Sequence, residues 1–303
     1  MRNNFAEALY KEAKENDKIC VVVADISPAG SMQKFRSEYP ERFINCGVAE
    51  QSMIGIAAGL ALKGFKPFCY TIATFSLYRP FEMVRVDLCY QNLPVTIIGM
   101  GAGAIYSTLG GTHQSIEDIS IASSIPNMQV LAPCDPLEMK EATKWCATKN
   151  TGPVYMRLGK VGEPIFTENA EEKFEFSKPR YIVKGDQTAI ISYGISIKIA
   201  NEVFEELKKK GQNNSLISCH TIKPLDKKKI KEIIESHEKT IVIEEHVPHG
   251  GLSSRIKEIS HDFKIKKEIK CFTLKDKFIH FYGNHDQFLD IHGLSSSKIL
   301  NQI

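Results

Sequence analysis

The chain has 303 residues, 43% hydrophobic and 25% charged, with a formal net charge of +3. That is enough for one large or two ordinary domains with real cores. So small a charge excess gives no case for nucleic acid or membrane binding, and the lysine-rich stretches at 208–210 and 227–231 read as solvated helix faces.

Cys20, Cys46, Cys69, Cys89, Cys134, Cys146, Cys219 and Cys271 stand singly, without the spacing of a metal site or of a secreted disulfide framework. The start, Met1-Arg2-Asn3-Asn4-Phe5, has no apolar signal core, and no apolar run reaches membrane-spanning length. A reduced chain in the cytoplasm is expected.

In chain order, short β-branched runs alternate with longer helical patterns. The pattern predicts a strand over 19–24, a helix over 50–63, a strand over 65–71, a helix over 81–90 and a strand over 95–99. Further strands at 129–132 and 154–157 flank a helix at 136–148. This alternation is that of an α/β domain with a mostly parallel sheet. Around 162–179 it fades into a polar, Glu-rich, Pro-bounded stretch, read as a linker at 166–179 between domains at 1–165 and 180–303. The second domain repeats the pattern, with strands at 188–192, 214–219 and 240–244 and helices at 196–210, 227–236 and 251–259.

Glu50 is the most informative single residue. It lies in Gly-Val-Ala-Glu-Gln (47–51) and opens an apolar stretch at 53–62. Acidic residues suit a first helical turn, and a carboxylate in apolar company also suits proton sharing; both readings stay open on the residues alone. Ligands of parallel sheets collect past the carboxyl ends of strands, so the βα junctions are the places to search. The first junction carries Asp25, in Ala24-Asp25-Ile26-Ser27-Pro28, which could simply cap a turn. After the next long strand, Phe75 and Tyr78 could be core packing or a cofactor platform. A glycine-rich loop at 99–111 ends in Thr112-His113-Gln114, where a histidine on a loop is a functional candidate.

Several ordered motifs carry a resemblance to a known family. Gly-Val-Ala-Glu-Gln (47–51), the segment 71–85, Gly-Thr-His-Gln (111–114), Pro-Asn-Met (126–128), Pro-Cys-Asp (133–135) and Gly-Pro-Val-Tyr (152–155) occur in the order seen in the C-terminal half of transketolases. His-Thr-Ile-Lys-Pro-Leu-Asp (220–226), and Glu244-Glu245-His246 followed by Gly250-Gly251-Leu252, are similar to the transketolase C-terminal domain. The chain resembles the separate C-terminal subunit of split transketolases and, more distantly, 1-deoxyxylulose 5-phosphate synthase.

The resemblance implies a thiamine diphosphate-binding fold: a pyrimidine-binding domain with a mostly parallel sheet, followed by a smaller α/β transketolase C-terminal domain. It implies that Glu50 hydrogen-bonds the aminopyrimidine ring nitrogen and activates the cofactor for transfer of a two-carbon ketol unit from a ketose to an aldehyde. It places His113 against the substrate, Phe75 in the aminopyrimidine pocket, Asp25 near the cofactor cleft, and Arg2 where a guanidinium can bind a substrate phosphate. Ile72 stands where many transketolases have a stacking phenylalanine, so the platform falls to Phe75 or Tyr78. Leu109 and Gly101 stand where an aspartate and a histidine contact sugars, which points to an acceptor other than the pentose phosphates, such as a modified sugar.

The Gly-Asp-Gly motif that holds the diphosphate through Mg²⁺ has no counterpart; Gly185-Asp186-Gln187 is the nearest match. The resemblance therefore implies a partner subunit that carries the diphosphate-binding domain and Mg²⁺, joined to a homodimer of this chain in a heterotetramer. Two rivals are the β subunit of a 2-oxo acid dehydrogenase and a non-catalytic assembly subunit. Gly-Thr-His-Gln followed by Ser115-Ile116-Glu117-Asp118 fits the transketolase side better.

Overall fold

A strand buried on both faces reads as an unbroken apolar run, and β1 (Ile19–Val23), β4 (Thr96–Met100) and β6 (Val154–Leu158) are buried at every residue. In the computed structural model, which describes residues 1–25, 32–160 and 162–303, they join β2 (Phe43–Asn45), β3 (Lys66–Ile72) and β5 (Gln129–Leu131). The result is a parallel sheet in the order β5-β6-β4-β3-β1-β2. A second sheet has the order β12-β11-β8-β9-β7. It is formed by β7 (Arg180–Val183), β8 (Thr188–Ser192), β9 (Ser215–Ser218), β11 (Lys239–Ile243) and β12 (Glu268–Phe272), and only β7 runs antiparallel. The short β10 (Thr221–Lys223) leaves the second half of the chain to pair antiparallel with β5, completing the edge of the first sheet.

Alternate residues of the first sheet face different layers. Val21, Phe68, Tyr70, Ile98 and Met156 pack against the helices Arg2–Glu15 and Pro136–Thr148. Val22, Cys69, Ile97 and Tyr155 pack on the other side against Glu50–Leu62 and Asp118–Ser124. That second layer continues without a break into Ile191, Cys219, Ile222 and Val242, so the two halves share one apolar core. The far face of the second sheet is covered by the helix Ile197–Lys209. No helix among the described residues is long and apolar enough to cross a membrane.

The expected helix over 81–90 is a short turn, Phe81–Met83, that runs into a π-helix, Val84–Tyr90. The helices Arg2–Glu15 and His285–His292 and the strands β2, β7, β10 and β12 were not predicted. β2 and β10 have only three residues each, and β12 is exposed or half-buried throughout, so neither length nor periodicity marks them.

The stretch expected as a linker, 166–179, contains neither helix nor strand, yet it is bound down along its length. Phe176 stacks on Trp145 at 3.8 Å, and Phe174 stacks on His220 at 4.3 Å. The fully buried Asp135 holds the start of the stretch. Its Oδ1 accepts the N–H groups of Leu137 and Glu138 as an N-cap, and its Oδ2 accepts the N–H groups of Phe166 and Thr167 and the Thr167 hydroxyl.

Removing a cap costs about 1 kcal/mol, and each buried donor left unmet costs roughly 1–3 kcal/mol more. Asp135→Ala should therefore lower stability by about 3–5 kcal/mol, read as a drop in the urea midpoint at unchanged slope. A loss under about 1 kcal/mol would mean that water replaces these bonds without penalty.

Candidate functional site

The candidate residues meet beyond the carboxyl ends of β1, β2 and β3, where parallel sheets bind ligands. β2 ends at Asn45, whose Oδ1 accepts the N–H groups of Gly47 at 3.0 Å and Asp25 at 3.1 Å. Gly47, at φ +68°, turns the chain there. Glu50 is the first residue of the helix Glu50–Leu62, a position where the helix dipole favours a negative charge. Only 4% of Glu50 is exposed. Its company is not purely apolar, as the sequence had led us to expect, because Arg79 Nη1 donates to Oε1 at 3.0 Å.

Arg79 is half exposed, and its guanidinium lies 4.2 Å from the centre of the Phe75 ring. Phe75 is carried by the short helix Ala73–Leu77 that follows β3. Its ring meets the His113 imidazole near edge-on, with centroids 5.1 Å apart and planes at 68°. Thr74 Oγ1 donates to the Thr112 carbonyl at 2.9 Å, tying this helix to the glycine-rich loop, and Thr112 Oγ1 lies 2.8 Å from His113 Nδ1. Glu50, Arg79, Phe75 and His113 thus touch in series. Burial, and then the Arg79 cation, hold His113 below the ordinary histidine pKa. The imidazole is neutral near pH 7, with one nitrogen able to accept a proton.

The remaining candidates spread around this chain of contacts. Ile72 is buried in the same layer as Phe75, directly before its helix. Tyr78 packs in the opposite layer, and its buried hydroxyl has no hydrogen-bond partner. Burial, then Asp118 and Glu117, push its pKa well up, so the structure separates it from Phe75. Asp25 is exposed at φ +60°; residues 26–28 of its junction lie outside the described residues. Arg2 begins the helix Arg2–Glu15, and its Nε is buried without a partner. It sits near enough to Tyr70 and Tyr106 to act on both phenols, and the Tyr106 ring is 6.3 Å from His113. Leu109 is 53% exposed. A side chain at Gly101 would overlap the Tyr106 ring, so Tyr106 fills the space that position would need.

Arg79 is the site residue that the sequence reading missed. A cation between Tyr78 and Pro80 is a visible signal, but its partner Glu50 lies 29 residues away in sequence, beyond the reach of local periodicity.

A buried carboxylate at a helix start, an aromatic ring linked to it through a guanidinium, and an apolar neighbour at Ile72 suit a flat heteroaromatic base that presents a ring nitrogen. No group of three or more His, Cys, Asp or Glu residues among the described residues could hold a metal ion. Asp186 sits in a turn, bonded through its carboxylate to the Asn213 side chain.

Comparison with known proteins gives this geometry its family. Residues 1–161 match the transketolase pyrimidine binding domain, and residues 177–299 match the transketolase C-terminal domain. The chain is 34% identical to a transketolase C-terminal section of Methanocaldococcus jannaschii, covering 100% of this chain and 95% of that one. It is 30% identical to one subunit of the apulose-4-phosphate transketolase of Phocaeicola vulgatus, covering 98% and 94%. A 1-deoxy-D-xylulose-5-phosphate synthase of Clostridium acetobutylicum is 34% identical, and there the chain covers 99% of itself but only 48% of the relative, about half its length. A solved split gene transketolase, an inactive β4 tetramer, superposes with a TM-score of 0.87 at 31% identity over 99% of this chain and 95% of that one. With both of its domains matched in order along nearly its whole length, the chain belongs to the transketolase family.

Proposed function

We propose that this chain is the C-terminal subunit of a thiamine diphosphate-dependent transketolase, which moves a two-carbon ketol unit from a ketose to an aldehyde. The observation that carries the reading is the buried Glu50 carboxylate, joined through Arg79 and Phe75 to a neutral His113 at one end of the sheet. Transketolases and 1-deoxy-D-xylulose-5-phosphate synthases use thiamine diphosphate, which when bound supplies the carbon nucleophile that attacks the donor carbonyl, a ketose carbonyl in the transketolases.

In this reading Glu50 holds the proton shared with the aminopyrimidine nitrogen, and Phe75 and Ile72 line the ring. Arg79 keeps the carboxylate oriented. His113 faces the substrate and moves a hydroxyl proton. In the same reading Arg2 binds a substrate phosphate, a role its unpartnered Nε near Tyr106 supports. Leu109 and the Tyr106 ring give the channel an apolar rim, which favours a specialised phosphorylated or modified sugar.

The diphosphate and Mg²⁺ fall to a partner chain that carries a diphosphate-binding domain. A second copy of this chain completes the assembly as a homodimer within a heterotetramer. The helix Glu50–Leu62 supports this, since past its first turn it is apolar on all sides yet leaves Gly55, Ile56, Gly59 and Leu62 exposed, and Val48 just before it is exposed too. An all-round apolar helix is otherwise a buried one. The similarity to a C-terminal section and to a split gene transketolase points the same way.

Mixing this chain with such a partner, thiamine diphosphate, Mg²⁺ and candidate ketoses should restore ketol transfer, while this chain alone should show none. In the mixture, Glu50→Gln should lower kcat by roughly 10²–10⁴-fold, the usual worth of a positioned acid or base. Full activity of that variant would remove Glu50 from the chemistry. A second expectation concerns pH. Because Arg79 helps to hold the His113 pKa down, Arg79→Gln should move the acid limb of the kcat/KM profile upward, toward the ordinary histidine value of about 6.5. An unmoved acid limb would show that His113 does not set it.

A further inference from the structure

The loop that carries His113 is held from outside its own domain. Its neck closes where the Gly103 N–H donates to the Ser115 carbonyl at 3.2 Å and the Ser115 N–H returns to the Gly103 carbonyl at 2.8 Å. Against this neck lies Glu245, fully buried just past the end of β11. Its Oε1 accepts the Ala104 N–H and lies 3.0 Å from His285 Nε2. Gly103, at φ +74°, is pressed so close that a Cβ there would overlap the Glu245 carboxylate.

His285 is fixed in turn by the start of the helix His285–His292, where Asn284 and Gln287 form a capping box. Ser107 Oγ donates to the Gly283 carbonyl at 2.8 Å, a second tie from the loop to the same segment.

The charged groups around the pair come from several elements. Arg157 of β6 donates Nη2 to the Glu245 carbonyl at 3.1 Å and is itself paired with Asp118. Asp286 and Lys198 face His285 and lie 3.5 Å apart, and His292 lies further along the helix. His285 keeps 27% of its side chain exposed and borders a cavity of about 350 Å³, so solvent can exchange its proton.

We propose that Glu245 and His285 are positioning residues for the transfer reaction: as a buried ion pair they lock the neck of the 101–113 loop and so fix where His113 is presented. This rests on the proposed role of His113. A carboxylate shared between a backbone N–H and an imidazolium makes charge-assisted bonds, which are about twice as strong as neutral ones. Burial alone would depress His285, but Glu245 lifts it above the ordinary histidine value. Burial alone would raise Glu245, but His285, then Arg157 and the Ala104 N–H, bring it below the ordinary carboxylate value. With a raised pKa on the histidine, the lock is complete below about pH 6.5 and is lost as pH rises through the raised value. Glu245 Oε2 has no hydrogen-bond partner, so loss of the imidazolium leaves a poorly compensated buried charge.

Amide hydrogen exchange on the full chain tests this without cofactor or partner. After correction for intrinsic rates, protection at Gly103, Ala104 and Ser115 should fall by about tenfold as pH rises through the His285 titration, while β3 and β4 stay unchanged. His285→Gln, which keeps a donor but no charge, should show the lower protection at every pH and no step. A flat wild-type profile, or a step that survives His285→Gln, overturns the proposal. In the reconstituted enzyme, His285→Gln should raise the ketose KM more than it lowers kcat, with the alkaline limb lost; equal effects on both without a pH change would reduce the pair to a structural contact and overturn it too. If His113→Ala leaves transfer intact while the exchange step is present, the role of His113 fails and the lock itself stands.

Discussion

Arg157 is the point on which both halves of the molecule converge. It extends from β6, almost wholly buried, with its Nε 3.0 Å from Asp118 Oδ2 and its Nη2 shared between the carbonyls of Ser115 and Glu245. Tyr155 donates its hydroxyl to the same Asp118 oxygen at 2.7 Å. A charge pair taken out of water costs several kcal/mol per ion, and it is tolerated only where every remaining donor finds an acceptor. Burial alone would lower the Arg157 pKa; Asp118, and then Tyr193 and Glu245, raise it instead, so the guanidinium stays charged. The requirement fixes the loop neck at Ser115, the start of the helix Asp118–Ser124 and the end of β11 relative to one another. Removing either charge would strand the other and release all three.

The site depends on a second, more exposed pair. Glu50 is buried and Arg79 is half in solvent, so the carboxylate does not lie wholly in an apolar interior. Its geometry follows from the turn before it, because Asn45 gathers the N–H groups of Gly47 and Asp25 and so joins two strand ends into one rim. Phe75 and Arg79 complete the rim only because the helix Ala73–Leu77 starts directly at the end of β3. Arg79 follows the end of that helix and folds its guanidinium back over the Phe75 ring.

The α/β pattern, the mostly parallel direction of the long strands and the position of the candidate loops were legible in the sequence, because buried strands and amphipathic helices impose periods of about 2 and 3.6 residues on the chain. β1, β3, β4, β6 and β8 were all placed within a residue or two. The illegible parts have a common cause. β10 has three residues and is a strand only because the first sheet offers it an edge. The separation of Phe75 from Tyr78 is a matter of which layer each side chain enters, and a spacing of three residues does not decide it once the helix ends at Leu77. Arg79 and His285 pair with residues 29 and 40 positions away, and such pairings are made by the fold.

The two domains differ in what they contribute to the loop, and the difference bears on why they stay together. The first domain supplies its sequence and its conformational freedom, with glycines at positive φ at 101, 103 and 110. Such a segment carries a high entropic cost when it is ordered. The second domain adds restraint through Glu245, His285 and Gly283, all beyond residue 240. The first domain also holds the loop backbone, through Thr74 Oγ1 on the Thr112 carbonyl and Arg157 Nη2 on the Ser115 carbonyl, so the loop is tied from both domains. The contacts of Thr74, Arg157 and Glu245 fall on the loop backbone and leave the Leu109 side chain 53% exposed. On the proposed role of His113, a C-terminal domain that carries none of the proton-transfer groups still contributes to the site, because Glu245 and Gly283 hold the loop that leads to His113.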